Sequence, residues 1–221
     1  MMKYAVIVAG GTGTRMNNNV PKQFLQIKGK PVLYYSIDTF LKSYRDLQII
    51  LVLPEDHIDI GREIIDAWFD GSRIRVTAGG RTRFHSVQNG LKLVDKESIV
   101  FVHDAVRCML SQELIKSCYS AAAEFGSAIP VIDCSDSVRI VTDDDNETIE
   151  RSRVKLVQTP QTFHSKILLP AYNIDYKDKF TDEATVVEAF GLKVHLVEGE
   201  PNNIKITKPV DLLIAEELVG G

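Results

Sequence analysis

Short runs rich in valine and isoleucine alternate along this chain with longer amphipathic segments, and this alternation most limits the folds open to it. Apolar runs of this kind, bounded by turn residues, are typical of strands buried on both faces of a parallel sheet. The amphipathic segments between them are typical of helices that cover such a sheet. The alternation therefore predicts an α/β fold in which helices flank a mostly parallel, twisted sheet.

Local chemistry indicates several boundaries of these elements. Pro31 and Pro209 suit the first turn of a helix, and Ser111 can cap one. The predicted strands cover residues 4–9, 48–53, 73–78, 99–103, 128–132, 156–159, 193–197 and 204–207. The predicted helices cover residues 31–41, 58–69, 83–93, 112–125, 165–173, 182–190 and 209–219.

One stretch, residues 133–153, interrupts the alternation. It is polar and holds the sequence DDDN at 143–146 between two β-prone runs, 138–142 and 147–150. This pattern predicts a protruding β-hairpin arm. Because a two-stranded hairpin is only marginally stable alone, this one is expected to pack either on the body of the protein or around a second subunit. A solvated surface hairpin is the alternative.

The composition predicts one globular domain and limits its partners. The chain has 221 residues, 44% of them hydrophobic, which is enough for a single domain over 1–221 with an excursion at 133–153. Its 30 acidic and 26 basic residues give a net charge of −4, which argues against nucleic acid and anionic membranes as partners. The apolar run at 4–11 is too short to span a bilayer and lacks a signal-peptide cleavage pattern, so we expect a cytoplasmic protein.

A glycine-rich turn follows the first predicted strand. Residues 9–16 read AGGTGTRM, and the backbone amides of such a turn can approach an anion closely. The turn therefore predicts a phosphate cradle, with a plain tight turn as the alternative. A dinucleotide fingerprint fits poorly because Met16 stands where a third small residue belongs. No Gly-Lys-Ser/Thr follows that would indicate a P-loop.

Two basic residues sharpen the phosphate hypothesis. Arg15 lies in the turn, and Lys22 follows seven residues later, directly after Pro21, which restricts the backbone there. Two fixed cations can neutralise a triphosphate and the charge that develops in its transition state. Either residue alone could be an ordinary surface cation, but the pair together with the glycines favours a phosphate site.

The fourth predicted strand runs into the sequence HDAVR at 103–107. Asp104 then lies at the carboxyl end of a parallel strand, where open α/β sheets hold ligands. It could bind a ribose hydroxyl or Mg²⁺, which takes one or two carboxylates together with phosphate oxygens. A turn-forming aspartate is the alternative, and we expect His103 to be structural. Lys205 is an unusual cation in a β-prone run, and it indicates a phosphate partner if it faces inward.

Together these motifs resemble the 2-C-methyl-D-erythritol 4-phosphate cytidylyltransferases of the non-mevalonate isoprenoid pathway. The resemblance runs from the first strand to the last helix. It implies a Rossmann-like nucleotidyltransferase fold, CTP as donor, Mg²⁺ as cofactor, transfer of CMP to a sugar-alcohol phosphate with release of pyrophosphate, and a homodimer that exchanges the arm at 133–153. The motifs that carry it are the glycine-rich loop through Arg15, Pro21-Lys22-Gln23, Gly79-Gly80 with Arg83 and Ser86, His103-Asp104-Ala105 with Arg107, Thr159-Pro160-Gln161, Thr181-Asp182-Glu183-Ala184, and Asn203-Ile204-Lys205.

The resemblance also implies a role for each matching residue. Arg15 and Lys22 would be catalytic and stabilise the transition state at the α-phosphate. Asp104 would help to hold Mg²⁺ and the acceptor, while Arg151 and Lys205 would grip the acceptor phosphate. The nucleotide pocket would be lined by Ala9, Gly10, Gly11, Gly13, Gly80, Ser86, Ala105 and Arg107.

Two positions depart from the family pattern. Arg81 stands where the family often has an acidic residue, which leaves the base contacts at that point open. A hydroxyl residue usually follows the aspartate near the start of the arm. In ungapped register that position is Cys134, and Ser137 is the alternative.

Other functions stay open on the sequence alone. A ribitol-5-phosphate cytidylyltransferase shares the fold, the loop and the CTP chemistry, and it is the nearest alternative. A sugar-1-phosphate nucleotidyltransferase and a non-catalytic nucleotide-binding module are more distant ones. Met16 and the paired cations disfavour an NAD-dependent dehydrogenase.

Overall fold

A computed structural model describes residues 1–10 and 20–219 of the chain. The strands in this part are β1 (Met2–Val8), β2 (Gln26–Ile27), β3 (Lys30–Pro31), β4 (Leu47–Leu53), β5 (Ile74–Ala78), β6 (Ser98–Asp104), β7 (Ser127–Asp133), β8 (Arg139–Val141), β9 (Asn146–Thr148), β10 (Lys155–Val157), β11 (Gln161–His164) and β12 (Leu196–Glu198). The helices are α1 (Val32–Ser43), α2 (Ile58–Trp68), α3 (Arg83–Leu91), α4 (Gln112–Phe125), α5 (Ser165–Ala171), α6 (Glu183–Ala189) and α7 (Pro209–Leu218). None of the helices in these described residues is long and apolar enough to cross a membrane.

The main sheet joins its strands in the order β10-β7-β11-β6-β1-β4-β5, and β12 pairs with β7 as well. Strands β6, β1, β4 and β5 are parallel, whereas β11 runs antiparallel between β6 and β7. Val8 of β1 lies opposite Asp104 of β6, so the carboxyl ends of these two strands are level. The predicted α/β fold, with a mostly parallel sheet flanked by helices, is confirmed.

Side chains of the central strands alternate between two apolar layers. On β1, Tyr4 and Val6 belong to the cluster beneath α3, α5 and α6, while Ala5 and Ile7 belong to the cluster beneath α1 and α4. This alternation follows from the two-residue period of a strand. Full burial of one large aliphatic side chain stabilises the fold by about 1.5–3 kcal/mol. Helices therefore cover both faces of the sheet, and the strand ends are left for polar groups.

Capping side chains determine where several helices begin. Ser111 Oγ accepts a hydrogen bond from the Leu114 amide at 2.9 Å, which confirms the predicted cap of α4. Asp182 accepts a hydrogen bond from the Thr185 amide at 2.9 Å and so begins α6. The second cap places Glu183 in the first turn of that helix.

The prediction of a strand at residues 204–207 is wrong. This part of the chain is irregular, although the Ile206 amide donates to the Val106 carbonyl at 3.0 Å. Side-chain contacts hold this segment in place. Lys205 Nζ reaches Asp104, and the preceding residue Asn203 donates through Nδ2 to the Thr159 carbonyl, in the link between β10 and β11, at 2.8 Å.

Strand β11 was not predicted from the sequence. It has four residues, and the polar Gln161 and Thr162 among them make the stretch resemble a loop. Both side chains are nevertheless buried, because β11 lies between β6 and β7 in the middle of the sheet. The short hairpin of β2 and β3 was not predicted either, since each strand has only two residues.

The arm contains the predicted hairpin. Strands β8 and β9 pair antiparallel with each other and with no other strand in the described residues. The side chains of Ile140 and Val141 are 44% and 75% exposed. The arm therefore presents apolar surface that a single chain leaves uncovered.

Candidate functional site

A cavity of about 340 Å³ opens at the carboxyl ends of β1 and β6, beside the loop that follows β5. The chain leaves β1 toward β4 on one side and later returns to β6 on the other side. Open α/β sheets bind ligands at such a reversal of strand order. The described residues that line the cavity are Val8, Ala9, Gly10, Lys22, Gln23, Gly80, Arg81, Thr82, Arg83, Ser86, Asp104, Val106 and Lys205.

This cavity brings together several site residues that the sequence predicts. They are Ala9, Gly10, Lys22, Gly80, Ser86, Asp104 and Lys205. Three further predicted residues, Gly11, Gly13 and Arg15, lie outside the described residues. The described lining of the cavity does not include Ala105, Arg107 or Arg151.

Asp104 makes the central ionic contacts of the cavity. Its Oδ1 accepts a hydrogen bond from Arg83 Nε at 3.0 Å, and its Oδ2 accepts one from Lys205 Nζ at 2.7 Å. Burial alone would raise the pKa of Asp104, but the two cations outweigh burial and hold that pKa well below its usual range. The carboxylate is therefore ionised at neutral pH and can bind a cation or a ligand hydroxyl.

The irregular segment after β12 brings Lys205 to the cavity and contacts Lys22 there. The hydrogen bond from the Ile206 amide to the Val106 carbonyl ties this segment beside the end of β6. Lys205 then reaches Asp104, and Lys22 Nζ donates to the Ile206 carbonyl at 2.9 Å. Lys205 faces inward, as its proposed phosphate contact requires.

Ser86 holds the glycine pair against α3. Its buried Oγ accepts a hydrogen bond from the Gly80 amide at 3.0 Å and donates one to the Thr82 carbonyl at 3.0 Å. A Cβ on Gly79 would lie 2.9 Å from Ser86 Oγ, and a Cβ on Gly80 would lie 2.5 Å from His85 Cβ. Only glycine permits this approach. The loop therefore presents backbone groups at the cavity wall, which suits contacts with a base edge.

Two charged residues missing from the predicted site, Arg83 and Glu183, lie next to Asp104: Arg83 lines the cavity and Glu183 is fully buried. Arg83 Nη1 and Nη2 donate to the two carboxylate oxygens of Glu183 at 2.6 and 3.1 Å. The Tyr172 hydroxyl donates to Glu183 Oε1 at 3.1 Å. Both charged residues occur in motifs that carry the family resemblance, but 100 positions separate them in the chain. No local pattern reveals that they meet.

His103 is buried behind Asp104 and is neutral, because burial lowers its pKa to about 3. Its Nε2 donates to the Arg107 carbonyl at 3.2 Å. A carbonyl only accepts, so the neutral ring carries its proton on Nε2, and the Thr159 hydroxyl donates to Nδ1 at 2.9 Å. The Asp104 amide in turn donates to Thr159 Oγ1 at 3.1 Å. These contacts give His103 the structural role that we expected.

The buried neutral ring predicts acid sensitivity. Below about pH 6.5 the unfolded chain binds a proton at His103, while the folded chain does not until about pH 3. Between those values, stability should fall by up to about 1.4 kcal/mol per pH unit. We expect urea unfolding at pH 7 and pH 5 to show a loss of about 2 kcal/mol from this residue. The His103→Gln variant should lose correspondingly less, and an equal loss in both proteins would contradict the assignment.

Ala105 and Arg107 support the turn after β6. The Ala105 amide donates to the Val8 carbonyl at 3.0 Å, and the Ala105 carbonyl accepts from Ser36 Oγ at 3.1 Å. Arg107 Nη1 donates to the Asn203 carbonyl at 2.8 Å, and burial lowers the pKa of the guanidinium. Their contacts with a nucleotide stay predictions.

Comparison with known proteins decides the family. The chain matches the family model described as 2-C-methyl-D-erythritol 4-phosphate cytidylyltransferase over residues 3–220. The chain belongs to this family. It is 46% identical over 219 residues to the cytidylyltransferase of that name from Bacteroides thetaiotaomicron, with 99% of this chain and 100% of the relative covered. It is 47% identical to the one from Phocaeicola vulgatus, with the same coverage.

Solved structures agree with the family assignment of this cytidylyltransferase. The crystal structure of 4-diphosphocytidyl-2C-methyl-D-erythritol synthase from Anaerococcus prevotii superposes with a TM-score of 0.86 at 33% identity, covering 100% of this chain and 96% of the other. The cytidylyltransferase from Thermus thermophilus superposes with a TM-score of 0.79 at 30% identity, covering 100% of both chains. The fold is therefore shared along the whole length.

A second cavity of this cytidylyltransferase, of about 840 Å³, lies at the base of the arm. Arg151 lines it and donates through Nη1 to the Ser135 carbonyl at 2.9 Å. Arg151, which is predicted to bind the acceptor phosphate, thus lines a different cavity from the one that Asp104 lines. Cys134 also lines this second cavity, whereas its described lining does not include Ser137. Which of the two residues takes the arm hydroxyl position stays a prediction.

The residues at Asp104 fit Mg²⁺ as a single carboxylate ligand. The described residues contain no group of three His, Cys, Asp or Glu side chains that could hold a metal ion. Each carboxylate oxygen of Asp104 accepts one cationic donor and keeps a second lone pair. Mg²⁺ is commonly bound by one or two carboxylates, with phosphate oxygens and water completing its octahedron. The site therefore suits an ion that arrives with a nucleoside triphosphate.

Proposed function

We propose that this protein transfers CMP from CTP to 2-C-methyl-D-erythritol 4-phosphate and releases pyrophosphate. The observation that carries the proposal is the Asp104 carboxylate, held between Arg83 and Lys205 in the cavity that Lys22 also lines. Several cations around one carboxylate suit a ligand with several phosphates. Relatives that align over their whole length bear the name of this activity.

The proposed reaction is an in-line displacement at the α-phosphorus of CTP. A phosphate oxygen of the acceptor bonds to that phosphorus, the bond to the oxygen bridging toward the β-phosphate breaks, and pyrophosphate leaves with the electron pair. The acceptor phosphate is already largely ionised near neutral pH, so no side chain has to remove a proton. Lys22, together with Arg15, stabilises the charge that develops on the phosphate oxygens. No covalent enzyme intermediate is required.

We place Mg²⁺ at Asp104, together with phosphate oxygens of the nucleotide. Bound there, the ion would neutralise phosphate charge that otherwise repels the anionic acceptor. Lys205 contacts Asp104 Oδ2 and is also the proposed partner of the acceptor phosphate. A phosphate that attracts Lys205 would therefore uncover one oxygen of Asp104.

The proposal includes a homodimer in which the arms are exchanged. Ile140 and Val141 on the arm are exposed, and Arg151 and Cys134 line a cavity other than that of Asp104. A second chain whose arm reaches across would cover the apolar surface. In that arrangement, Arg151 of the partner subunit would bind the acceptor phosphate beside Lys205.

Pyrophosphate release tests the proposed function. The purified protein is incubated with CTP and Mg²⁺ and with either 2-C-methyl-D-erythritol 4-phosphate or ribitol 5-phosphate, while UTP, GTP and ATP serve as donor controls. Release with CTP and the first acceptor alone is the expected result. Release only with ribitol 5-phosphate would move the protein to the neighbouring enzyme class. No pyrophosphate release with either acceptor would overturn the proposed transfer.

Size measurement tests the arm exchange. We expect light scattering to give about twice the chain mass of 24.7 kDa. Deletion of residues 143–147 or the variant Val141→Asp should shift the protein toward the monomer, because each disrupts the arm contact. Leu213→Asp on α7, at an apolar position that is also well exposed, is the control and should leave the mass unchanged. A wild-type mass of a single chain at assay concentration would exclude the dimer.

A further inference from the structure

Glu183 is a fully buried carboxylate within the described core. Its two oxygens accept hydrogen bonds from Nη1 and Nη2 of Arg83, and the Tyr172 hydroxyl donates a hydrogen bond to Oε1. Replacing a buried ion pair with apolar residues of similar volume is often neutral or stabilising. A charge kept at such a position therefore suggests a geometric task beyond holding α6 against α3.

The geometry of the guanidinium indicates that task. Arg83 offers its donors in a rigid planar fork, and a free fork pairs with a carboxylate through two parallel hydrogen bonds. Glu183 occupies Nη1 and Nη2, so that only Nε meets Asp104, at 3.0 Å from Oδ1. Asp104 Oδ2 is thereby left to the cavity side, where Lys205 reaches it.

We propose that Glu183 is a positioning residue, which holds the Arg83 fork so that Asp104 is anchored by one oxygen and presents the other to the ligands. The inference rests on the proposed function in one respect, because the presented oxygen binds the Mg²⁺ or the acceptor of that reaction. Without Glu183, the fork is free to turn toward Asp104 and take both of its oxygens. Asp104 would then lose the oxygen that binds Mg²⁺ or the acceptor.

The variant Glu183→Gln tests the proposal, since it keeps the volume and removes one acceptor and the charge. We expect kcat to fall about 10–100-fold, the range typical when a carboxylate that orients a ligand-binding group is lost. The half-saturating Mg²⁺ concentration should rise, while KM for CTP should stay within about twofold, because Glu183 is fully buried and is not part of the described cavity lining. A folded variant with wild-type kcat and Mg²⁺ dependence would overturn the proposal.

A matched control separates positioning from stability. Gln88 lies on α3 beyond Arg83, and its Nε2 donates to the Tyr172 carbonyl at 2.8 Å. Gln88→Ala removes a hydrogen bond between α3 and Tyr172, whose hydroxyl contacts Glu183, and it leaves Glu183 itself untouched. It should lower the melting temperature and leave kcat at the wild-type value. An equal loss of kcat in Gln88→Ala would show that any loosening of this junction has the same effect, and it would overturn a specific role for Glu183.

A readout without substrates keeps the inference separate from the proposed function. In the ligand-free protein, the Arg83 Nε–H should give a slowly exchanging NMR signal, assigned by its loss in Arg83→Lys. In Glu183→Gln this signal should shift and exchange faster, whereas it should persist in Gln88→Ala. An unchanged signal would overturn the inference even if the wild-type enzyme is active. An inactive wild type with the expected signal change would reject the proposed function alone.

Folding of the variants needs its own check. If Glu183→Gln does not fold, Glu183→Asp keeps the charge and shortens the side chain by one methylene, so that it can no longer reach both Nη atoms. We expect the same direction of change in kcat and in the Arg83 signal. Wild-type values for both in Glu183→Asp would overturn the proposal.

Discussion

The Lys22→Met variant is expected to release pyrophosphate from CTP about 10²–10³-fold more slowly than the wild type while remaining folded. Lys22 lines the cavity from a single 3₁₀ turn, Lys22–Phe24, and methionine keeps its apolar stem but removes the charge. The turn is held by Gln23, whose Nε2 donates to the Ala9 carbonyl at 2.7 Å. The loss should therefore appear mainly in kcat, with only a small fall in the unfolding temperature from the lost hydrogen bond to the Ile206 carbonyl.

Steady-state kinetics with a thermal melt of the same sample would measure this effect. Lys116→Met is the control, because Lys116 is an exposed lysine of α4 away from the cavity lining. The family resemblance implies a loss of the same size for Arg15→Ala. Wild-type kcat in Lys22→Met would mean that Lys22 does not stabilise the transition state.

The Asp104→Asn variant is expected to lower kcat by at least about 10²-fold, since a neutral amide oxygen binds a divalent cation more weakly than an ionised carboxylate does. The change removes the charged partner that lies 2.7 Å from Lys205 Nζ, while Arg83 keeps its ion pair with Glu183. Some stability should also be lost, because the folded state favours the ionised form of Asp104. Activity is therefore compared well below the melting temperature of the variant.

Asp46→Asn provides the control for losing an ion pair. Asp46 Oδ2 lies 2.8 Å from Lys3 Nζ at the amino end of β1, opposite the cavity. Its variant should lose stability of a similar kind without any change in kcat or in the Mg²⁺ concentration required. Rates for Asp104→Asn close to those of the wild type at saturating Mg²⁺ would remove Asp104 from the mechanism.

The sequence predicted most of the main sheet because its signals are local. A parallel strand such as β1 is an unbroken apolar run, and the capping residue Ser111 acts on an amide three residues away. Where polar side chains are buried, the same rules fail. Gln161 made β11 resemble a loop, and residues 204–207 follow the pattern of a strand without forming one.

The candidate site divides in the same way. Asp104 and the Gly79-Gly80 pair could be predicted, because the carboxyl end of a parallel strand and a glycine turn are recognisable in the sequence itself. Arg83 and Glu183 could not be placed as a pair, because their contact spans 100 positions and buries charge, which composition gives no reason to expect.

The α/β layers, the hairpin arm and the strand end that carries Asp104 follow from the sequence alone, since apolar periodicity and turn chemistry act over a few residues. Which distant side chains surround that carboxylate depends on tertiary packing. The pairing of Arg83 with Glu183 and the reach of Lys205 to Asp104 depend on how helices and the last irregular segment pack against the sheet. The structure likewise placed Arg107 against the backbone and Arg151 in the arm. Hydrogen bonds and ion pairs between remote segments form only after the apolar layers have brought those segments together.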